Sequence, residues 1–322
     1  MGSSFGEKVK VAVFGQSHSE AIGCVIDGLP VGEAIDMAEV TAFMQRRTPG
    51  KNPGDTARRE ADQVRVLSGL LNGMTCGAPL CAMIENIDIR SKDYDAMRNI
   101  PRPGHADFPL EVKCKGHQDK RGGGHSSGRL TAPLCFAGAV ALQILKRRGI
   151  EIAASVTKIG DVEAAKAQGD SVGGVIECVA TGLPAGLGSP MFDGVENRLA
   201  AALFGIPAVR GVEFGAGFAA ADMRGRENND AYIIENGQVR TRTNHHGGVL
   251  GGITTGMPLV LRVAIKPTPS IALKQESIDL QAMEATQLQI TGRHDACIVP
   301  RAVPVVEAVT ACVLLDLMEG AR

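Results

Sequence analysis

Two stretches of this sequence, Cys24-Val-Ile-Asp-Gly-Leu-Pro-Val-Gly32 and Cys178-Val-Ala-Thr-Gly-Leu-Pro-Ala-Gly186, repeat one pattern. A second pair follows in the same order, Gly73-Met-Thr-Cys-Gly-Ala-Pro-Leu80 and Gly252-Ile-Thr-Thr-Gly-Met-Pro-Leu259. Either match alone could be a coincidence among glycine-rich turns. Two matches in the same order favour a shared subfold, because internal repeats show themselves as ordered self-similarity. The sequence therefore predicts two related α+β units, one within about residues 8–90 and one within about 150–266.

The segments around these repeats predict both strands and helices. Lys8–Phe14 and Met257–Lys266 have the pattern of strands. Asp36 is a good helix N-cap, and Glu39 three residues later completes a capping-box pattern. No linker rich in proline, serine and glycine separates the halves, so we expect a single domain over residues 1–322 with internal pseudo-symmetry. Further helices are predicted at Thr131–Arg148, Asp193–Phe204 and Pro304–Met318.

The composition is that of an ordinary globular protein and excludes several classes of function. No apolar run approaches the roughly 20 residues that a membrane span needs, and the N-terminus does not resemble a secretory signal. We therefore expect a cytoplasmic protein without a membrane segment. A net charge of −1 gives no overall attraction to nucleic acid, and the absence of tryptophan leaves little to stack on single strands. The eight cysteines lack metal-ligand spacing, so no metal site is predicted, and a reducing compartment suits them.

Glycine is unusually abundant: 40 of the 322 residues, about 12%, are glycine, against an average of about 7%. The densest cluster is Lys120-Arg-Gly-Gly-Gly-His-Ser-Ser-Gly-Arg-Leu-Thr131. Three successive glycines let backbone N–H groups converge on an anion, and the helix start that follows adds a favourable dipole. Arg121 and Arg129 bracket the turn and can fork onto phosphate or carboxylate oxygens. The sequence therefore predicts a phosphate-binding loop at Arg121–Arg129.

This glycine loop is neither of the common nucleotide-binding motifs. The Gly-Lys-Ser/Thr ending of a Walker loop is missing. The spacing and preceding strand of a Rossmann fingerprint are missing as well. The alternative is a flexible surface loop. The flanking arginines and the helix directly after the loop argue against it.

Two histidines lie in glycine-containing turns, His18 within Phe14-Gly-Gln-Ser-His-Ser19 and His105 within Arg102-Pro-Gly-His-Ala-Asp107. A single histidine is more often structural than catalytic. Histidine is also the side chain whose charge changes near neutral pH, which suits proton transfer. Their occurrence beside a phosphate-type loop favours a catalytic interpretation.

Three further segments could contact a ligand. Thr291-Gly-Arg-His-Asp295 could bind an anion through Arg293 and use Asp295 as a base, or could be a solvent-exposed helix cap. Lys266-Pro-Thr-Pro-Ser270 ends a strand with one cation and two hydroxyls, which suits a phosphate or a ring edge. Asn244-His-His-Gly-Gly-Val-Leu-Gly-Gly252 is a second glycine cluster.

Taken together, these segments resemble the chorismate synthase family, in the order of that family and over nearly the whole chain. One such motif would be weak evidence, whereas the ordered set is specific. The matching motifs are Gly15-x-Ser-His18, Asp27-Gly-x-Pro30, Arg58-Arg-Glu-x-Asp-x-Val64, Leu67-Ser-Gly69, Ser91-x-Asp-Tyr94, Arg102–Asp107, Arg121–Arg129, Gly247–Gly252, Lys266-Pro-Thr268 and Gly292–Asp295.

The resemblance implies an α+β fold of the β-α-β sandwich type, commonly assembled as a homotetramer. It implies a lyase of the shikimate pathway that converts 5-enolpyruvylshikimate 3-phosphate to chorismate by trans-1,4-elimination of phosphate. Such enzymes need reduced FMN although the reaction is redox-neutral, because the flavin lends electron density transiently while phosphate leaves. The family is also associated with NADP. The sequence shows no Rossmann-type nicotinamide site and no reductase domain, so an external flavin reductant is expected.

The resemblance also implies residue roles. His18 would protonate the departing phosphate, His105 would protonate or stabilise the reduced flavin, and Asp295 would assist proton removal. Arg47, Arg129 and Arg293 would hold the anionic groups of the small-molecule substrate, since buried charges must be paired. The FMN site would be lined by His125, Ser126, Ser127, Ala208, Gly251, Lys266, Pro267, Thr268, Pro269, Ser270 and Arg293.

The chain departs furthest from the family's pattern within the glycine loop. The family usually reads Arg-Ser-Ser-Ala-Arg-Glu-Thr there, and this chain has His125 in place of the first arginine. An anion contact made by histidine depends on pH, whereas arginine is always charged. We therefore expect FMN to bind more weakly at high pH than in a family member with arginine. The other departures are Gln16, Ser19, Pro53, Gly128, Leu130 and Pro207.

Two alternatives stay open at the level of sequence. The first is a divergent homologue that binds flavin or an anionic metabolite without the activity. The second is a flavin-dependent oxidoreductase, which a nicotinamide site would support. The presence of both histidines, Asp295 and the three arginines favours an active enzyme.

Overall fold

The first part of the chain builds an antiparallel sheet. The computed structural model describes residues 2–50, 62–87, 98–290 and 295–321. Its first sheet has the strand order β1-β2-β3-β7-β4, and a small hairpin, β5-β6, stands beside it. The elements are β1 (Ser4–Phe5), β2 (Lys10–Gly15), β3 (Ala21–Asp27), α1 (Met37–Gln45), β4 (Val64–Ser68), β5 (Leu70–Leu71), β6 (Met74–Thr75), β7 (Leu80–Glu85), α2 (Asp107–Cys114) and α3 (Thr131–Arg147).

The second part builds another antiparallel sheet, in the strand order β10-β15-β9-β8, with three separate hairpins. Its elements are β8 (Glu151–Ile159), α4 (Val162–Gln168), β9 (Gly174–Thr181), α5 (Val195–Phe204), β10 (Val209–Phe214), α6 (Gly225–Asn228), β11 (Tyr232–Glu235), β12 (Gln238–Thr241), β13 (Val249–Leu250), β14 (Ile253–Thr254), β15 (Leu259–Ile265), β16 (Gln275–Asp279), β17 (Glu284–Leu288) and α7 (Val299–Gly320).

The two parts follow one plan, as the repeats predicted. The series β2, β3, α1, β4, β7, α3 of the first corresponds to β8, β9, α5, β10, β15, α7 of the second. The repeated threonines even make the same hydrogen bonds. Thr75 Oγ1 donates to the carbonyl of Pro30 (2.6 Å) and accepts from the N–H of Glu33 (2.9 Å). Thr254 Oγ1 donates to the carbonyl of Pro184 (2.6 Å) and accepts from the N–H of Leu187 (2.9 Å). The repeat is therefore structural.

The helices form a middle layer between the sheets. Helix α3 packs on β2, β3 and β7 of the first sheet, α7 packs on β8 and β9 of the second, and α3 and α7 pack on each other. The two helices approach each other closely where Gly138 of α3 meets Ala308 of α7, since a Cβ on Gly138 would lie 2.2 Å from Ala308 Cα. This is the β-α-β sandwich that the resemblance implied.

Two expectations need correction. Helix α7 begins at Val299 and not at Pro304, which lies inside it. Helix α3 with its preceding turn, Gly128–Arg147, is long and apolar enough to cross a membrane by composition, contrary to the expectation that no such stretch exists. In the fold 83% of its most apolar window is buried, because both faces of a middle-layer helix are covered. It is a core helix.

Candidate active site

A cavity of about 1130 Å³ collects segments that are far apart in sequence. Its wall comes from the turn after β2, the glycine loop before α3, the start of β10, the turn after β15 and the start of α7. The predicted site residues that line it are His18, Arg47, His105, His125, Ser126, Ser127, Arg129, Ala208, Lys266, Thr268, Pro269, Ser270 and Asp295.

Three predicted residues are placed differently or not at all. Gly251 lies in the turn between β13 and β14, and it is not part of the cavity wall; neither is Pro267. Arg293 lies outside the described residues, as do the motif residues at 53, 58–61 and 91–94. Their predicted roles stay predictions.

His18 is held against the glycine loop. The residue is 6% exposed, and its Nδ1 lies 3.0 Å from Ser17 Oγ. The N–H of Ser17 donates to the carbonyl of Gly124 (3.0 Å), which ties the turn to the loop. Gly122 has a left-handed φ of 62°, and a Cβ there would lie 2.7 Å from His18 Cε1. Only glycine therefore lets the loop lie flat against the imidazole.

His105 forms a dyad with Asp107. Its Nδ1 lies 2.6 Å from Asp107 Oδ1. Burial alone would raise the pKa of Asp107, but hydrogen bonds from Arg102 and His105 outweigh it and hold that pKa well below its usual range. Because an ionised carboxylate can only accept, Nδ1 carries the proton and Nε2 is the nitrogen left for a ligand.

Arg102 connects this dyad to two other parts of the site. It binds Asp107 through Nε (2.8 Å) and Nη2 (2.8 Å). The same Nη2 donates to the carbonyl of Gly122 (2.7 Å), and Nη1 donates to Ser270 Oγ (3.3 Å). One rigid guanidinium thus joins the His105 turn, the glycine loop and the turn after β15.

Arg47 and Arg129 share one carboxylate, that of Asp62. Arg47 Nη2 lies 2.5 Å from Asp62 Oδ2, and Arg129 Nη1 binds Oδ1. Burial raises the pKa of Asp62, but the charges of Arg47 and then Arg129 dominate together with their hydrogen bonds, so the pKa is lowered. The two predicted substrate-binding arginines therefore face the cavity as a pair.

Asp295 is anchored at the start of α7. Its Oδ1 accepts from Arg301 Nη1 (2.8 Å), and its carbonyl accepts from Thr268 Oγ1 (2.8 Å). Arg301 Nε in turn donates to the carbonyl of Arg47 (3.0 Å). The predicted base is thus held between the turn after β15 and the segment after α1.

The segments expected to hold FMN also meet here. His125 Nδ1 donates to the carbonyl of Gly15 (2.6 Å), and Nε2 lies 2.8 Å from Ser3 Oγ. Lys266 Nζ donates to the carbonyl of Gly104 (2.5 Å). Burial lowers the pKa of Lys266, and the nearby positive charge of Arg210 adds to that shift. Ala208 lines the cavity with a left-handed φ of 74°, an unusual conformation of the kind found at binding sites.

Sequence reasoning missed several residues of this site. Arg102 lines the cavity, and Asp107 and Asp62 bind residues that line it; all three stood inside quoted motifs but were not assigned to the site. Arg301 and Arg210, which also line the cavity, gave no local signal. Conversely, Arg121, expected to fork onto an anion, pairs with Asp119 through Nε (2.8 Å) and Nη2 (2.9 Å) and is not part of the wall.

A cavity with paired arginines, a glycine loop, two anchored histidines and a carboxylate is typical of enzymes that act on anionic small molecules. Comparison with known proteins specifies the class. The family model "Chorismate synthase" matches residues 9–166 and 160–318. The match falls in two segments, which is consistent with the internal repeat. The chain belongs to the chorismate synthase family.

Individual relatives agree. The chorismate synthase of Thermococcus gammatolerans is 47% identical, covering 97% of this chain and 96% of that protein. That of Lancefieldella parvula is 46% identical, covering 99% and 96%. A crystal structure of chorismate synthase is similar with a TM-score of 0.77 at 26% identity, covering 98% of this chain and 93% of the other.

Proposed function

We propose that the cavity is where this chain carries out the reaction of its family. As a chorismate synthase the chain is a lyase that converts 5-enolpyruvylshikimate 3-phosphate to chorismate by trans-1,4-elimination of phosphate and depends on reduced FMN. The observation that carries the assignment to this cavity is the convergence of His18, His105, Asp295, Arg47 and Arg129 on one space.

The residues present fit the flavin and the substrate together. Pockets for one small ligand measure about 300–1,000 Å³. The present cavity, at about 1130 Å³, exceeds that range and suits two ligands side by side. Ser126, Ser127 and Lys266 supply donors for the flavin phosphate. When bound beside the substrate, reduced FMN would supply transient electron density for the loss of phosphate.

Two of the chain's own groups handle protons at the reacting ends of the substrate. His18, buried against the glycine loop, gives a proton to the departing phosphate. Asp295 assists removal of the substrate proton, held in place by Arg301. Positioned acids and bases of this kind contribute about 10²–10⁴-fold to a rate.

His105 and the arginines supply charge and position. With Nδ1 committed to Asp107, His105 offers Nε2 to the reduced flavin. Arg47 and Arg129 hold the carboxylate and phosphate groups of the substrate through charge-assisted hydrogen bonds. Arg102 keeps the His105 turn and the glycine loop at a fixed separation.

An anaerobic assay with chemically reduced FMN and 5-enolpyruvylshikimate 3-phosphate tests the activity. We expect chorismate and inorganic phosphate in equal amounts with no net flavin oxidation. Tight flavin binding without chorismate would instead identify a homologue that binds ligand and lacks the activity.

The proposal extends to the enzyme's localisation, its assembly and its source of reduced flavin. We infer a cytoplasmic homotetramer that receives reduced FMN from a separate reductant. Support comes from the family resemblance and from apolar side chains exposed on the single chain, among them Phe192 and Phe218 at 87% and 84%.

A further inference from the structure

Asp62 stands between the two arginines that the proposed function gives to the substrate. Its side chain is 1% exposed, and those of Arg47 and Arg129 are 4% and 7% exposed. Each carboxylate oxygen serves a different arginine. A buried carboxylate that divides its oxygens in this way sets both the separation and the orientation of two guanidinium groups.

We propose that Asp62 is a positioning residue for substrate binding, one that fixes Arg47 and Arg129 as a pair directed at the anionic substrate. The inference rests on the proposed function of the cavity. Two guanidinium groups this close repel each other, and their repulsion is strong where water is excluded. Asp62 offsets one of the two positive charges, so the trio keeps a net positive charge while staying together.

The contacts of the trio extend across the site. Arg129 Nε donates to Asn86 Oδ1 (3.0 Å), and Asn86 Nδ2 donates to the carbonyl of Ser19 (2.8 Å), next to His18. On the other side Arg47 Nη1 reaches Thr131 Oγ1 (3.3 Å) at the start of α3. Hydrogen bonds thus connect Asp62, through Arg129 and Asn86, to the backbone beside His18.

The backbone at Asp62 makes a clean substitution possible. Its φ of 47° lies in the left-handed region, which aspartate and asparagine tolerate better than other non-glycine residues. Asp62→Asn keeps this conformation and the side-chain shape. The amide has one acceptor oxygen and places an NH₂ against a guanidinium, so one of the two arginines loses its hydrogen bond to residue 62.

Glu33 offers a matched control. Its carboxylate also bridges two arginines, Arg147 (2.5 Å) and Arg148 (3.5 Å), but these arginines do not line the cavity, whereas Arg47 and Arg129 do. Glu33→Gln therefore removes a carboxylate between two arginines, at a side chain that is 21% exposed, without touching the proposed site.

The test compares Asp62→Asn and Glu33→Gln in two measurements: steady-state kinetics, and calorimetric binding of 5-enolpyruvylshikimate 3-phosphate to FMN-free protein. We expect Asp62→Asn to raise KM and the dissociation constant at least about tenfold, with a smaller change in kcat, as when uniform binding is lost. Glu33→Gln should change neither. If Asp62 only cancelled charge, the more positive variant would bind the anion more tightly, and that result would overturn the proposal.

Asp62→Glu keeps the charge and both oxygens but moves them by one methylene, and it covers the case in which Asp62→Asn does not fold. We expect this variant also to raise KM, so wild-type affinity in Asp62→Glu would equally contradict a positioning role. Failure of the proposed function shows up separately, as absence of chorismate formation by the wild-type protein.

Discussion

The proposed proton carriers and their neighbours are anchored by hydrogen bonds from the surrounding chain. His105 Nδ1 donates a hydrogen bond to Asp107, and Asp295 Oδ1 accepts one from Arg301. Such anchoring selects the tautomer of a histidine and the rotamer of a carboxylate before the ligand arrives. Preorganisation of this kind makes the effect of single substitutions predictable.

Loss of either proposed proton carrier should slow turnover strongly. We expect His18→Ala and Asp295→Ala each to lower kcat at least about a hundredfold, the scale of positioned acid–base catalysis. The exposed His117 and Asp193 lie outside the cavity wall, and their alanine variants serve as controls. Single-turnover assays with reduced FMN measure the effect. Near-normal turnover of a variant would remove that residue from the mechanism.

Asp107 should make stability depend on acid pH. Its pKa is lowered in the folded protein, so its ionised form stabilises the fold above the unfolded value of about 3.9. That contribution is lost as pH falls below this value toward the folded pKa. Asp107→Asn should therefore be less stable at pH 7 and lose less stability between pH 4 and pH 2.5. Urea unfolding at several pH values measures this, and parallel curves for both proteins would contradict it.

His125 should make FMN binding sensitive to pH. Its Nδ1–H donates to the carbonyl of Gly15, and its Nε2 lies beside Ser3 in the loop expected to hold the flavin phosphate. Histidine in general changes charge near neutral pH, whereas arginine is always charged. Fluorescence titrations should show FMN binding weakening from pH 6 to pH 8.5. His125→Arg should remove the dependence, and a flat wild-type profile would rule the idea out.

At the scale of elements, the crossing of α3 and α7 leaves no room at Gly138. A Cβ there would meet the backbone of Ala308, which cannot move without displacing α7. We expect Gly138→Ala to destabilise the protein by at least about 1–3 kcal/mol, the usual cost of overpacking. Gly225→Ala is the control, because nothing lies within 4 Å of that position. Thermal unfolding compares the two, and equal melting temperatures would mean that the helices separate more easily than the packing indicates.

Periodicity and capping predicted the helices α3 and α5, which begin and end within two residues of their predicted bounds. The early start of α7 was missed because Pro304 is typical of a first helical turn, whereas here Pro300 occupies that place. The histidines and Asp295 could be predicted from ordered motifs. The role of Asp62 could not, because Arg129 lies 67 residues away and only the fold brings the two together.

Across the whole molecule, the two units bury their helices against each other and place their loops differently. The glycine loop before α3 faces the cavity, while the corresponding segment before α7 supplies Asp295, which is held by Arg301 in the first turn of α7. The first unit thus supplies the glycine loop and the second the proposed base. This division explains why a repeat in sequence produces a single site.

The hairpin β11-β12 should be an assembly surface. Ile234 and Val239 are paired across it, on the face that also carries Tyr232, and these side chains are 73%, 63% and 68% exposed. Apolar faces of this kind usually meet another chain, and the assembly proposed above is a homotetramer. We expect a tetramer in sedimentation velocity and a smaller species for Ile234→Lys/Val239→Lys. Gln238→Lys, on the opposite face, should stay tetrameric. An unchanged double variant would place the interface elsewhere, and a monomeric wild-type protein would refute the assembly itself.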